Sequence, residues 1–143
     1  MIPRNAIDLA KTFEGFSSTV YLCPANYFTI GYGHRCNKDH ARITKEQALE
    51  YLEQDLHNAY VQTVSLCPKL ITVNETWLGA IIDFVFNLGS GRLKASTLRK
   101  KINSEQWDEV PEQLNKWVYG GGRKLKGLVL RRAVEAMYFK ENL

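Results

Sequence analysis

Three cysteines in 143 residues, Cys23, Cys36 and Cys67, are too few and too irregularly spaced for a disulfide framework. Their number is odd, and the first residues lack both the continuous apolar run and the small-residue cleavage site of an export signal, so reduced thiols are expected. Long hydrophobic runs are missing too. The longest nearly apolar stretch, residues 77–88, is interrupted by Asp83 and Asn87 and is too short for a bilayer, which excludes stable membrane insertion by a helix. Internal repeats and low-complexity tracts are absent, and with 10 glycines and 4 prolines the chain has neither a collagenous nor a linker composition. A large excess of one charge is lacking as well: 19 cations face 15 acids. The resulting net charge of +4 favours an anionic partner, a description that fits nucleic acid, a membrane surface and a bacterial cell wall alike. Hydrophobic residues at 45% and charged residues at 24% describe an ordinary globular chain of one domain.

What is present is concentrated in residues 14–34, EGFSSTVYLCPANYFTIGYGH. Ile7, Ala10 and Phe13 recur at helical spacing and Gly15 is a natural stop, which places Glu14 in the last turn of a helix opened near Pro3 and Asn5. Residues 19–22 and 28–32, rich in β-branched and aromatic side chains, read as two strands joined by the turn Cys-Pro-Ala-Asn. Alternation sets Thr29, Gly31 and Gly33 on one face of the second strand and Phe28, Ile30 and Tyr32 on the other. The first face is then bare except for Thr29, as a cleft floor would be. A carboxylate at a helix C-terminus meets the negative end of the dipole, and Phe13 and Phe16 flank it. Both effects favour the neutral form that a general acid requires. Cys23 sits in the turn with no helix N-terminus before it and no cation beside it in sequence to favour its thiolate.

Residues 35–42 read as a polar loop. Thr44-Lys-Glu-Gln47 fits a capping box and opens a helix with the apolar stripe Ala48, Leu49, Leu52, Leu56 and Ala59, continuing past Tyr60. Asn74 caps an almost wholly apolar helix through Leu88, ended by Gly89 and expected to form the core. Ser96 and Ser104 cap two more, the second reaching Trp117 with a kink or break at Pro111. A last helix over residues 127–141 carries Arg131, Arg132 and Glu135, with Leu125, Leu128 and Leu130 read as its packing side. The fold class is α+β: one domain, 1–143, with a small hairpin lobe over about 14–60 and a larger helical lobe over about 61–143, joined by a long helix.

Glu14, Cys23 and Thr29, followed by Ile30-Gly-Tyr-Gly-His34, have the order and spacing that resemble the catalytic signature of the T4-type phage lysozymes, the endolysin family that cuts peptidoglycan. Cys23 stands where the family usually has Asp. Further on, DFVFNLGSG from Asp83, STL from Ser96, WVYGGGRKLKGL from Trp117 and the pair Arg131-Arg132 with Glu135 extend the resemblance over roughly residues 5–140. It implies a lysozyme-like fold and hydrolysis of the β-1,4 bond between N-acetylmuramic acid and N-acetylglucosamine, with inversion. Glu14 would be the acid, and Cys23 and Thr29 would hold the attacking water. By residue-by-residue match, Arg35, Phe86, Asn87, Thr97 and Gln113 would contact glycan, Arg35 at a position usually apolar. His34 would be structural and paired with Asp55. The implied partner is the peptidoglycan glycan strand rather than nucleic acid, the implied state a monomer. The implied route runs from the host bacterial cytoplasm through a separate membrane pore protein, a holin, to the cell wall.

Two rival readings use the same residues. Cys23 and His34 could serve a Cys-His peptidase or amidase acting on the peptide part of the polymer. The basic C-terminal helix could instead make a non-enzymatic wall- or membrane-binding module. A zinc site from Cys23, His34, Cys36 and His40 lacks the paired ligand spacing such sites use, so neither metal nor organic cofactor is expected.

Overall fold

A computed structural model of the protein describes residues 1–141; Asn142 and Leu143, the end of the expected single domain, lie outside the described residues. Helix α1, Arg4–Glu14, starts behind Pro3 and ends at Gly15, whose φ of 67° turns the chain away while its N–H caps the Lys11 carbonyl. Strand β1, Ser17–Leu22, pairs antiparallel with β2, Phe28–Gly31. A third strand, β3 at His34–Arg35, adds to β2 with Ile30 facing His34 and Thr29 facing Arg35. The polar-loop reading of residues 35–42 is corrected at its start. The cause is Gly31 and Gly33, with φ of 66° and 77°, which fold the chain back where any other residue would be strained. The same turn ends the alternation expected through Tyr32: Ile30 and Tyr32 join the core, Thr29 is buried and Phe28 is exposed. The bare floor is therefore narrower than the sequence predicts and is centred on Gly33.

Helix α2, Lys45–Leu66, opens with the expected capping box, in which Gln47 N–H donates to the Thr44 hydroxyl and Thr44 N–H to the Gln47 side chain. Its stripe touches β2 and β3 as well as α4, Glu75–Leu88, and α5, Ser90–Lys94, so one helix serves both parts of the molecule. A short α3, Leu70–Val73, intervenes, and Asn74 then caps α4, whose residues from Trp77 to Val85 are all buried. That is the core the apolar run foretells. Helix α1 docks on α4, with the Asn5 amide donating to the Thr76 carbonyl at 2.8 Å, and this fixes the height at which Glu14 leaves α1.

Helix α6, Thr97–Asn103, is capped by Ser96. The expected long helix through Trp117 is instead a 3-10 turn, Trp107–Glu109, leading into a short α7, Val110–Leu114. Pro111 lies in the first turn of α7, where its missing N–H costs no hydrogen bond, rather than kinking a longer helix. The glycine run makes a small hairpin of β4, Tyr119–Gly120, and β5, Arg123–Lys124. Helix α8, Lys126–Glu141, packs on α4 and α7. Leu125 and Leu128 are half-buried beside Gly120, but Leu130 is exposed and does not belong to the packing side.

Candidate active site

Glu14 is the last residue of α1, and its carboxylate lies over the β2–β3 turn. A Cβ at position 33 would stand 2.6 Å from Glu14 Oε1, so only glycine leaves room beneath the acid. Oε2 accepts from Arg131 Nη1 at 2.6 Å. This replaces the apolar flank expected from sequence. Phe13 lies under the Arg131 guanidinium, and Phe16, carried off by the Gly15 turn, is exposed and packs on Tyr32.

Arg131 also donates Nε and Nη2 to the two Asp83 oxygens, at 2.9 and 2.7 Å, a bidentate pair that orients the third nitrogen toward Glu14. Its neighbour Arg132 reaches Asn87 Oδ1 at 2.8 Å and Glu135 Oε2 at 2.9 Å. Arg132 Nε stands 2.7 Å from Glu135 Oε1, yet the two are not aligned as a hydrogen bond. Asp83, Arg132 and Glu135 are fully buried. Burial alone would raise Asp83, but the Arg131 guanidinium outweighs it and holds this carboxyl below the usual range. Glu135 goes the other way. Burial, then the hydrogen bond and negative charge of Asp83, push it well above the usual range, and the imperfectly aligned Arg132 does not compensate.

The raised Glu135 has a measurable consequence. An acid whose folded value lies above its unfolded one contributes stability that is present below about pH 4.3, the unfolded value, and lost as pH rises through the folded value. Glu135→Gln cannot ionise, so its unfolding free energy relative to wild type should climb steadily as urea denaturation is repeated from pH 4 to pH 8. A constant difference across that range would mean that Glu135 is an ordinary ion-pair partner of Arg132.

Cys23 occupies the β1–β2 turn, where its N–H donates to the Tyr27 carbonyl and its own carbonyl accepts from Asn26. Burial would raise its thiol, but hydrogen bonds from the Tyr27 backbone, the Thr29 hydroxyl and the Ala25 backbone, with the charge of Arg35, bring it below the ordinary value. The expectation of no cation near Cys23 is thereby corrected: β3 returns Arg35 to it across the sheet. Thr29 is 3% exposed, and its single hydroxyl proton has two acceptors, the Tyr27 carbonyl at 2.9 Å and the Cys23 sulfur. It acts on the thiol more directly than on solvent.

Tyr21 links the two halves of the site. Its hydroxyl is raised by burial first and then by the negative charges of Glu14 and of Cys23, so both groups lie within its electrostatic reach. Sequence reasoning passed over Tyr21, although alternation from Cys23 puts it on the same face of β1. Asp83 was noticed only within a motif, because nothing in sequence shows that Arg131, on a helix 48 residues later, would bind it.

His34 Nδ1 lies 2.7 Å from Asp55 Oδ2, as expected, and its ring stacks on Tyr51. On β3 it alternates with Arg35, so it turns to α2 while Arg35 turns toward Cys23, and no hydrogen bond joins Cys23 to His34 among the described residues. His40 is bonded to the Ala41 carbonyl, and among the described residues no group of three or more His, Cys, Asp or Glu could hold a metal ion. Of the expected glycan contacts, Phe86 lies beside the Arg131 guanidinium and Asn87 accepts from Arg132, so both join the Glu14 network. Thr97 opens α6 and Gln113 lies on α7; neither enters the hydrogen bonds among Glu14, Asp83, Asn87, Arg131, Arg132 and Glu135.

Known proteins are similar to this chain in sequence and in fold. The chain is 33% identical over 141 residues to the endolysin of Bacillus phage B103, covering 96% of this chain and 53% of that protein. It is 32% identical over 144 residues to the endolysin of Acyrthosiphon pisum secondary endosymbiont phage 1, covering 97% of each. The chain thus spans about half the length of the Bacillus phage relatives it matches. Among solved structures, the muramidase domain of SpmX from Asticaccaulis excentricus superimposes with a TM-score of 0.85 at 27% identity, covering 97% of both chains. The phage lysozyme family matches residues 11–135, and with that match added to the site and the fold, this chain belongs to the phage lysozyme family.

Proposed function

We propose that the chain is a muramidase of the endolysin type, hydrolysing the β-1,4 bond between N-acetylmuramic acid and N-acetylglucosamine in peptidoglycan. The observation that carries this reading is the position of Glu14, half-buried over Gly33, with one oxygen committed to Arg131 and the other, Oε1, left for a proton and the glycosidic oxygen. Names support it as well: the relatives are endolysins and the structural neighbour is a muramidase domain. In the proposed reaction Glu14 Oε1 protonates the leaving oxygen. A water on the far side of the sugar, hydrogen-bonded to Cys23 Sγ, attacks the anomeric carbon and releases a proton to solvent, and Thr29 and Tyr27 fix the thiol. Arg35, Phe86, Asn87, Thr97 and Gln113 contact the glycan. Acting as a monomer and reaching the wall from the host cytoplasm through a holin complete the reading.

Mass spectrometry of purified peptidoglycan after digestion tests it. Muramic acid at new reducing ends is the expected product. Anhydromuramic ends would make the chain a transglycosylase, and new free amines a peptidase.

Cys23 separates this mechanism from its variants. A true base must be ionised while Glu14 carries its proton, and Asp, with a reference pKa of about 3.9, meets that condition far better than a thiol near about 8.5. The hydrogen bonds to Sγ and the charge of Arg35 act to narrow that gap. Cys23 therefore positions water more than it removes a proton. Cys23→Ser should retain a tenth or more of wild-type turnover, roughly the cost of weakening one assisting group, and Cys23→Asp should equal or exceed wild type. A glycosyl adduct on Cys23, or a Cys23→Ser enzyme as inactive as one lacking Glu14, would make the thiol a nucleophile or an obligatory base.

A further inference from the structure

The tip of the sheet carries a charged group whose partner on the substrate the muramidase reading leaves open. Arg35, on β3, places its guanidinium over the Tyr27 ring, with Cζ 3.7 Å from the ring centroid. That is the tightest cation–ring contact among the described residues, and it is made by two exposed side chains. Exposed arginines ordinarily sample many rotamers. This one rests on the Tyr27 ring, and the Tyr27 backbone is anchored: its carbonyl accepts from Cys23 N–H at 3.0 Å and from the Thr29 hydroxyl at 2.9 Å. Among the described residues no carboxylate or carbonyl accepts from the Arg35 side chain. The fork of N–H donors is therefore unused, within electrostatic reach of Cys23.

A stacked guanidinium with free edges is preorganised for a planar anion, which it can grip with two parallel hydrogen bonds at low entropic cost. Its surroundings narrow the choice. Tyr27 at 46%, Phe28 at 40% and Leu22 at 55% exposure give the tip an apolar surface suited to a sugar ring or a short peptide rather than to a free inorganic ion. In peptidoglycan the glycan backbone is neutral once the lactyl group of muramic acid is amide-linked, and the carboxylates lie on the peptide stems. Building on the muramidase reading, we propose that Arg35, held by Tyr27, is a specificity-determining residue that binds a carboxylate of the peptide stem on the muramic acid occupying the cleft. Neutral glycans of the same backbone would then be poorer substrates, and an apolar residue at this position would not make the distinction.

The experiment crosses substitution with chemistry on the substrate. Initial rates of reducing-end release are measured for wild type, Arg35→Ala and Arg35→Lys on soluble peptidoglycan fragments, untreated and with their carboxyl groups converted to amides by carbodiimide and ammonia. On untreated fragments Arg35→Ala should raise KM roughly tenfold, the scale of one charge-assisted hydrogen-bonded pair. Amidation should raise the wild-type KM by a similar factor but barely change that of Arg35→Ala, and Arg35→Lys should fall between. Because Arg35 also acts on Cys23, its loss can alter kcat on both substrates; that contribution cancels in the comparison, and only the non-additive part reports the contact. Tyr27→Leu, which removes the platform but keeps the charge, should reproduce part of the loss on untreated fragments. Additive effects of substitution and amidation, or full replacement of Arg35 by Lys, would overturn the assignment. Absence of reducing ends with wild type on untreated and amidated fragments alike would instead overturn the muramidase reading itself.

Discussion

Glu14→Gln is expected to lower turnover on peptidoglycan by roughly two to four orders of magnitude, the contribution of a positioned general acid. The substitution suits the question because it keeps the shape and most of the contacts. An amide oxygen can still accept from Arg131, the side chain still fits over Gly33, and the Arg131–Asp83 pair is untouched. What disappears is the acidic proton that Oε1 would carry to the leaving oxygen. Substrate binding should survive, so KM stays within a few-fold of wild type while kcat collapses, the pattern of an interaction made in the transition state only. The melting temperature should move little, since the exchanged contact is partly exposed on the Glu14 side. Residual activity above about a tenth of wild type, set against that range, would mean that another group donates the proton and that the position of Glu14 is structural.

The parts of this site written in consecutive residues were legible before the structure. Gly15 ends a helix wherever it falls after such a pattern, Thr44 and Gln47 cap each other locally, and residues 77–85 are too apolar to lie anywhere but in the core. The His34–Asp55 contact was also foreseen, though from family resemblance rather than from local physics. Contacts across the fold were not legible. Nothing near Glu14 in sequence says that Arg131, 117 residues away, will hold its carboxylate, and the apolar flank read from Phe13 and Phe16 failed because Gly15 turns Phe16 outward. The position of Arg35 near Cys23 depends on a turn at Gly31 and Gly33 that alternation rules treat as continuous strand. Short elements were missed for a related reason: α7 and the β4–β5 hairpin are set by packing against α8 and by three glycines, with too few residues to establish a period.

Arg131→Met should destabilise the fold by about 3–5 kcal/mol, because it leaves Asp83 charged, fully buried and without its guanidinium. For a chain of this size that is a fall of roughly 10 °C or more in melting temperature. The cause is the orphaned carboxylate rather than the worth of the pair, and a second substitution distinguishes the two. Arg131→Met combined with Asp83→Leu removes both charges and fills the space with apolar atoms, and it should recover more than half of the loss. Acid gives an independent check on the sign. Asp83 is held below its usual range by Arg131, so its stabilising contribution is fully present above about pH 3.9, the unfolded value, and is lost as pH falls through the folded value. In Arg131→Met that contribution is gone, and the difference in unfolding free energy between wild type and variant should be largest near neutrality and shrink on acidification. Activity follows a separate course. The double variant, though restabilised, still lacks the nitrogen that holds Glu14 Oε2, so its kcat should remain low. Recovery of kcat along with stability would show that Arg131 serves the core alone, and that Glu14 finds its working position from α1 and Gly33 without it.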